Sequence, residues 1–323
     1  MIYCQLLYIS LEVLNNIPHL YKLSGQEEEL TEKHKEAKAI VIADIYNIYS
    51  DNNYQYLLDE KKWVQINKFP KSVGKIFGVF EINDVFYVVG RKGISTLNNE
   101  FYEFPTDIFY SWSQSYQIGN NILIFRTLHD LKFLEFKLFD SVIKQLIDVD
   151  IKVKRIFFDV VYYLNQLWII GGSKPVEAGK KHLVFKTIQT YNLITKTTSL
   201  SPVKMIQARF GHKVIVYKDN LFVFGGCDKD EKVLNTVEMY SPKTNKFVTM
   251  APMKIARLHF VCSRVGNLVY VIKGDSGKDA YVDSDSVEIY NLDTNTWTTG
   301  QDFPKSLCSW CYLYGCAVKS KLE

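Results

Sequence analysis

The chain has 323 residues, 47% of them hydrophobic and 14% aromatic, and a formal net charge of +4 from 39 basic and 35 acidic side chains. That is ample apolar material for a large core, and a balance this mild, with no Lys/Arg run, argues against a nucleic-acid or membrane-surface binder. Six cysteines are too few for a disulfide framework, and no stretch approaches the run of about 18 apolar residues that marks a membrane span.

The first 36 residues stand apart from the rest. "LLYISLEVLNNIPHLYKL" has helix-like apolar spacing interrupted at Pro18, and "QEEELTEKHKEAK" is a charged linker. The opening lacks the basic region of a secretory signal and places Glu12 and two Asn after its apolar run, so a cytoplasmic chain is expected.

From about Ala37 the pattern changes to strands. "AIVIADIYNIY" reads as a strand, and "YLLDEKKW" sets Tyr56 and Trp63 seven residues apart around a turn. "IFGVFEINDVFYVVG" reads as a hairpin turning at Asn83, with "FYEFPTDIFYSW", ending at Trp112, as the aromatic-turn unit after it. "FDSVIKQL" repeats the seven-residue frame with Phe139 and Leu146. "FFDVVYYLNQLWIIGG" turns at Asn165 and is followed by Tyr191 and Thr198 in "YNLITKTT". "KVIVYKDNLFVFGG" turns at Asn220 and leads to Tyr240 and Phe247 in "VEMYSPKTNKF". "VCSRVGNLVYVIKG" turns at Asn267 and leads to Tyr290 and Trp297 in "VEIYNLDTNTW". "SLCSWCYLYGCAV" closes the series as one further strand.

The first aromatic positions 56, 139, 191, 240 and 290 are separated by 83, 52, 49 and 50 residues, and 83 is two short repeats, so the count is six. A period of that length with two hairpins per copy fits a four-stranded propeller blade. Pro242 suits the second position of its turn, and Tyr240 and Phe247, facing each other across the hairpin, are expected to pack on the next blade. The pairs Gly171-Gly172 and Gly225-Gly226 fall where a strand ends and another backbone comes close. "AIVIADIYNIY" has no inner strand before it and "SLCSWCYLYGCAV" has nothing after it, so the last strand is expected to complete blade one. Cys308 and Cys311 lie three apart on that strand and so point to opposite faces, which favours buried, reduced thiols over a metal site.

The Gly-Gly after the second strand and the Tyr and Trp around a P-x-T-N turn resemble the kelch repeat, over about Ala37 to Val318. The Gly pair is reduced to Gly90 and Gly274 in two copies and is missing at Ala43-Asp44 and Phe125-Arg126. The resemblance implies an all-β, six-bladed kelch β-propeller closed by its C-terminal strand, with a short helical N-terminal segment. Six blades closed in this way look like the kelch-like substrate adaptors, which carry BTB and BACK domains ahead of the propeller. Residues 1–36 would then be a helical remnant and charged linker, similar to a BACK tail, and 37–323 the propeller, and the expectation is a member of that family lacking the BTB domain that in the family binds a cullin.

For such a fold the partner-facing surface is built from loops. The loops leading into the inner strands carry Lys71, Arg155, Arg209, Arg257 and Lys305, and the last three are 48 residues apart. Five cations around one mouth would favour an acidic peptide, since Arg grips carboxylates bidentately; the alternative is that repeat symmetry sets a solvated base at each turn, and the kelch resemblance implies that an Arg at this place can also be structural. "SKPVEAGKKHLVF" is basic, whereas "CDKDEKVLN" and "GDSGKDAYVDSDS" are acidic. His212 and His259, near inner strands, read as packed residues, and no catalytic constellation, phosphate loop or metal cluster assembles. The expectation is a non-enzymatic interaction module with no cofactor, no nucleic acid and no membrane. It would be the substrate-recognition part of a cullin-type E3 ubiquitin ligase adaptor, with an actin-binding kelch scaffold as the alternative.

Overall fold

The computed structural model describes residues 37–44, 53–66, 69–104, 113–127, 134–174, 183–277, 285–304 and 313–319. Its 24 strands form six four-stranded antiparallel sheets. Blade one holds β1 (Ala39–Asp44), β2 (Asn53–Leu57) and β3 (Lys62–Ile66). Blade two is β4 (Ile76–Ile82), β5 (Val85–Gly90), β6 (Gly93–Thr96) and β7 (Phe101–Glu103). Blade three is β8 (Ser113–Ile118), β9 (Asn121–Thr127), β10 (Leu134–Asp140) and β11 (Gln145–Asp148). Blade four is β12 (Asp159–Tyr163), β13 (Gln166–Ile170), β14 (Thr187–Asn192) and β15 (Thr197–Lys204). Blade five is β16 (Lys213–Tyr217), β17 (Asn220–Phe224), β18 (Val237–Ser241) and β19 (Lys246–Met250). Blade six is β20 (Val261–Val265), β21 (Leu268–Ile272), β22 (Val287–Asn291) and β23 (Thr296–Thr299). The last strand, β24 (Leu313–Val318), returns to blade one as its inner strand, in the order β24-β1-β2-β3.

The closure has a defined register. Ala39 lies opposite Val318, Val41 opposite Cys316 and Asp44 opposite Leu313, and the Lys38 amide donates to the Val318 carbonyl at 2.8 Å. Without β24 the buried β1 residues Ile40, Val41 and Ile42 would sit on an open sheet edge, the exposure that a closed ring removes.

The core is distributed between blades. Six apolar clusters occupy the six blade-to-blade interfaces. The seam between the last blade and the first is one of them: Ile40, Ile42 and Tyr56 pack with Val261, Tyr270, Ile272 and Phe303. Each blade covers its two apolar faces with its neighbours, which is why the inner strands are apolar on consecutive residues.

All five seven-residue pairs are in direct register: Tyr56 with Trp63, Phe139 with Leu146, Tyr191 with Thr198, Tyr240 with Phe247 and Tyr290 with Trp297. They pack on the preceding blade, not the following one. The Tyr240 ring lies 5.3 Å from Phe247 and 5.6 Å from Trp168 of blade four, and Tyr290 lies 5.6 Å from Phe224 of blade five. The Trp297 indole N–H donates to the Ala251 carbonyl and that of Trp63 to Gln301, so each tryptophan clamps the loop that leaves the blade before it.

Blade two differs from expectation. Its outer hairpin is "GISTLNNEFYE", with Ser95 opposite Phe101, and residues 105–112 of the stretch ending at Trp112 lie outside the described residues. In blade three Arg126 stands where the first glycine would be, since Ile122 pairs with Phe139 as Leu221 does with Tyr240, and it is buried against the Glu135 carboxylate on β10. The N-terminal segment 1–36, where a short helix was expected, also lies outside the described residues, as do Cys308 and Cys311. Among the described residues no helix is long and apolar enough to cross a membrane.

The inner hairpins turn on two residues with positive φ, at Asn83-Asp84, Leu164-Asn165 and Lys218-Asp219. Asn220 is therefore the first residue of β17, not part of its turn. Leu164 (φ 48°, half exposed) stands where other blades use Asn83, Gly119 or Gly266, and a leucine pays a Cβ–carbonyl clash in that region. Leu164→Asn should raise stability by about 0.5–1 kcal/mol, measured by chemical denaturation.

Candidate functional site

Strand direction sorts the connections onto two ends. The tight turns within each hairpin lie at one end; the longer loops, from second to third strand and from one blade to the next, lie at the other. This loop end is where the candidate cations fall, and three copies of one arrangement build it.

In blade five the Arg209 guanidinium is fully buried. Its Nη1 donates to the Gly225 carbonyl at 2.7 Å and to the Thr236 carbonyl at 3.2 Å, and its Nη2 donates to Thr236 Oγ1 and to the Glu238 carboxylate. Glu238 also accepts the amides of Ile206 and Gln207, at 2.8 and 3.0 Å, from the loop that brings the chain into the blade. Blade six repeats this atom for atom. Arg257 donates to the carbonyls of Lys273 and Ser286, to Ser286 Oγ and to Glu288 at 3.0 Å, and Glu288 accepts the amides of Lys254 and Ile255. Each Arg–Glu pair thus ties three segments of a blade together: the incoming loop, the end of the second strand and the start of the third. Burial lowers the pKa of both guanidiniums, and the adjacent Glu carboxylates oppose that. Guanidinium groups remain protonated even so, and each pair is a buried, hydrogen-bonded ion pair.

Blade four carries the arginine without the carboxylate. Arg155 donates from Nη1 to the carbonyls of Gly171 and Thr187, both at 3.0 Å, and from Nη2 weakly to Thr187 Oγ1 at 3.3 Å, and its guanidinium lies 4.6 Å from the Phe185 ring centre. The position of Glu238 and Glu288 is taken by Gln189, which faces the incoming loop as they do and donates to the Lys152 carbonyl at 2.8 Å. Burial pushes the Arg155 pKa down to about 10, with no carboxylate among the described residues opposing it.

This geometry corrects the picture of five exposed cations around a mouth. Arg209 and Arg257 point into the blades and are fully committed to the fold, so equal spacing reported equivalence, not exposure. Arg155 is 7% exposed. The Lys71 backbone lies on a 3-10 turn, Lys71–Val73, leading into β4, and Lys305 lies outside the described residues. The residues missed from sequence are Glu238 and Glu288. Their signal was present in "VEMY" and "VEIY", which contrast with "IQTY" in blade four.

Nearer the axis, Phe157, Gly211 and His259 share a left-handed backbone conformation (φ 54°, 63° and 53°) and are linked between blades. The Gly211 amide donates to the Phe157 carbonyl at 2.8 Å and the His259 amide to the Gly211 carbonyl at 3.0 Å. A Cβ on Gly211 would meet the His259 ring at 3.0 Å, so glycine lets that ring close over the step between blades.

One residue further on, Phe158, His212 and Phe260 fill equivalent buried slots beneath the glycines Gly172, Gly226 and Gly274. His212 is thus a histidine in a phenylalanine position. Neither of its ring nitrogens makes a hydrogen bond of ordinary geometry, apart from a weak interaction with the main chain of Ile170. Burial, then Arg209 and Lys213, holds its pKa well below the usual imidazole range. Burial and Lys213 bring His259, half-buried by surface area in its crowded position, down to about 4. Both stay neutral in the folded chain while the unfolded chain takes up protons below about pH 6.5. Stability should therefore fall as pH drops from about 6.5 towards 4, by roughly 1–1.5 kcal/mol per pH unit for each histidine. The buried Asp159 carboxyl, raised by burial, acts in the opposite sense. His212→Phe should raise stability at neutral pH and remove one histidine's share of the acid slope in denaturation at pH 7, 6 and 5.

The exposed loop surface carries sorted charge. Around blade four, Lys152, Lys154, Lys174 and Lys186 are exposed. In the neighbouring blade-five loop Asp230 and Glu231 are exposed, and Asp228 braces the loop by accepting the amides of Asp230 and Lys232.

Comparison with known proteins agrees with the architecture. Residues 167–307 match the family model described as Attractin/LZTR1 beta-propeller. Kelch-like protein 40 of Mus musculus is 28% identical over 158 residues, covering 48% of this chain and 24% of that protein. Alpha-scruin of Limulus polyphemus is 29% identical over 121 residues, covering 37% and 13%. Kelch repeat and BTB domain-containing protein 12 of Homo sapiens is 26% identical over 160 residues, covering 45% and 25%. The matched segments span a quarter or less of these relatives. Among solved structures, "Structure of YjhT" superposes with a TM-score of 0.52 at 14% identity over 62% of this chain and 67% of that one, a likeness of fold alone. The chain is a six-bladed β-propeller with homology to kelch-like proteins.

Proposed function

We propose that the propeller is a protein-recognition module whose loop end reads a short segment of another protein. The observation that carries this reading is the sorted charge at that end: an exposed lysine group on blade four beside an acidic, self-braced loop on blade five, both mounted on buried Arg-centred latches. Rigid scaffolding beneath unlike charges favours selective electrostatic recognition over a uniform field. Homology to kelch-like proteins supports the interaction role.

Within that role the finer reading is the substrate-recognition part of a cullin-type E3 ubiquitin ligase adaptor. The finer reading assigns residues 1–323 to substrate recognition and not to cullin binding, so this segment is expected not to hold a purified cullin directly, and a pull-down tests this. The test of the loop end is comparative capture. Lys154→Glu with Lys186→Glu should lose the partners that the unmodified chain retains, at unchanged melting temperature. Leu200→Asp with Val248→Asp, on outer strands β15 and β19, should keep them.

The second reading is an actin-binding scaffold that uses the outside of the blades. It is favoured by the exposed apolar side chains Phe101, Leu200 and Val248 on the outer strands of blades two, four and five. Co-sedimentation with actin filaments that is lost in the outer-strand pair and kept in the lysine pair would reverse the preference.

A further inference from the structure

The end of the ring that carries the tight turns, opposite the loop end, does not have a uniform surface. Of the ten large apolar side chains that stand exposed among the described residues, six lie at this turn end, all on consecutive blades: Leu97 and Phe101 on blade two, Val142 and Ile143 on blade three, Leu164 and Ile194 on blade four. Lys144 joins the first two groups, donating to the Tyr87 hydroxyl at 2.9 Å and lying 3.7 Å from the Glu100 carboxylate. Blades five and six present exposed Lys218, Asp219, Lys243 and Asp293 at the same end. Apolar side chains gathered on one side of a face mark a contact surface, whereas scattered ones do not. Leu164 keeps its strained turn here, at φ 48°, where other blades use asparagine or glycine.

Topology limits what can cover this surface. Every internal stretch outside the described residues joins two strand ends at the loop end, so only 1–36 and 320–323 reach the turn end, and 320–323 is too short to span it. β1 is the second strand of its blade and starts at the turn end, where Ala39 lies opposite Val318. The chain before Ala37 therefore leaves the ring close to blade two, whose Glu81 carboxylate accepts the Lys319 amide just beyond Val318.

The sequence of that leading stretch suits an apolar seat. Gln5, Glu12 and Asn16, at steps of seven and four, share one side of a helix, and Tyr3, Leu7, Leu11 and Leu14 lie on the other. Pro18 limits such a helix to about 17 residues, roughly 25 Å, enough to cross two or three blades packed about 10 Å apart. The charged stretch 24–36 can span up to about 45 Å, so the tether reaches.

We infer that residues 1–17 dock as an amphipathic helix on the turn end of blades two to four, with the Tyr3, Leu7, Leu11 and Leu14 side over Leu97, Val142 and Ile143. The contact holds the leading end of the chain on the face opposite the recognition loops and leaves those loops free. A lone helix holds only by its packing, so it is released below the temperature at which the ring melts.

The test reads the contact itself at room temperature. The full chain, with Leu11 replaced by the photo-crosslinker p-benzoylphenylalanine, is irradiated at low protein concentration and the linked peptides are mapped by mass spectrometry. Links should form within one chain, to the peptides that carry Leu97 and Phe101 or Val142 and Ile143. Val142→Asp with Ile143→Asp should lower their yield at least fivefold, and Leu97→Asp, an independent variant on the next blade, at least twofold. Leu200→Asp with Val248→Asp, away from the turn end, should leave the yield within twofold. All these side chains are exposed, so each variant should keep the circular dichroism melt of the unmodified chain. Links to loop-end peptides, no links to the ring, or a yield that the turn-end aspartates do not lower would overturn the inference. Links between chains would overturn it as well, since a second copy would then be the occupant.

Discussion

A chain ending at Pro304 is expected to lose its cooperative melting transition. The deletion removes β24 and with it the whole register from Ala39–Val318 to Asp44–Leu313. It leaves β1 as an open edge although Ile40, Val41 and Ile42 are wholly buried in the closed ring. It also strips one wall from the cluster between blades one and two, to which Val318 belongs, and unseats the cluster that joins blade six to blade one. The net stability of a domain is only about 5–15 kcal/mol, and loss of one blade's inner strand together with two of six interfaces is comparable with the whole of it. By contrast, a chain beginning at Ala37 keeps every described strand and should melt as the full chain does. Circular dichroism melts of the two truncations check both outcomes; a sharp, unshifted transition in the C-terminal truncation would mean that the ring does not depend on its seam.

The second large effect is at the latches. Arg257→Met should cost about 3–5 kcal/mol, because it leaves the Glu288 carboxylate buried with only amide donors and removes the arginine's hydrogen bonds to the carbonyls of Lys273 and Ser286. Arg209→Met should behave alike through Glu238. The double variant Arg257→Met with Glu288→Leu should recover a good part of the loss, since replacing both members of a buried pair leaves no charge stranded. Urea denaturation of the single and double variants separates this from a surface role: partner-facing arginines would leave the urea midpoint where it is.

Much of the architecture could be read from spacing. Tyr240 and Phe247, and the four other pairs of the same frame, sit opposite each other as the seven-residue separation required, because a four-residue turn fixes which residues meet across a hairpin. Blade two escaped because its copy is one residue shorter and begins at Ser95, leaving no aromatic at its first position. The direction of packing, onto the preceding blade, is a matter of which sheet face the pair occupies, and period-two alternation does not say which neighbour a face meets. The arginines illustrate a different limit. A step of 48 residues establishes that Arg209 and Arg257 occupy the same place, but the direction of a side chain at a loop–strand junction depends on what lies within reach. The deciding partners were Glu238 and Glu288, 29 and 31 residues downstream and already visible in the repeated Val-Glu-x-Tyr. The same comparison singles out Gln189, where the repeat is broken and an amide replaces the carboxylate.

Closure of the ring by the last strand is most directly tested by a cysteine placed in β1. Val41 lies opposite the native Cys316, so Val41→Cys should form a disulfide to Cys316 under mild oxidation, identified by non-reducing peptide mapping. Ile40→Cys, one residue out of register and facing the other side of the sheet, should not. Linkage of residue 40 in preference to 41, or of neither, would contradict a propeller closed by Leu313–Val318 on Ala39–Asp44.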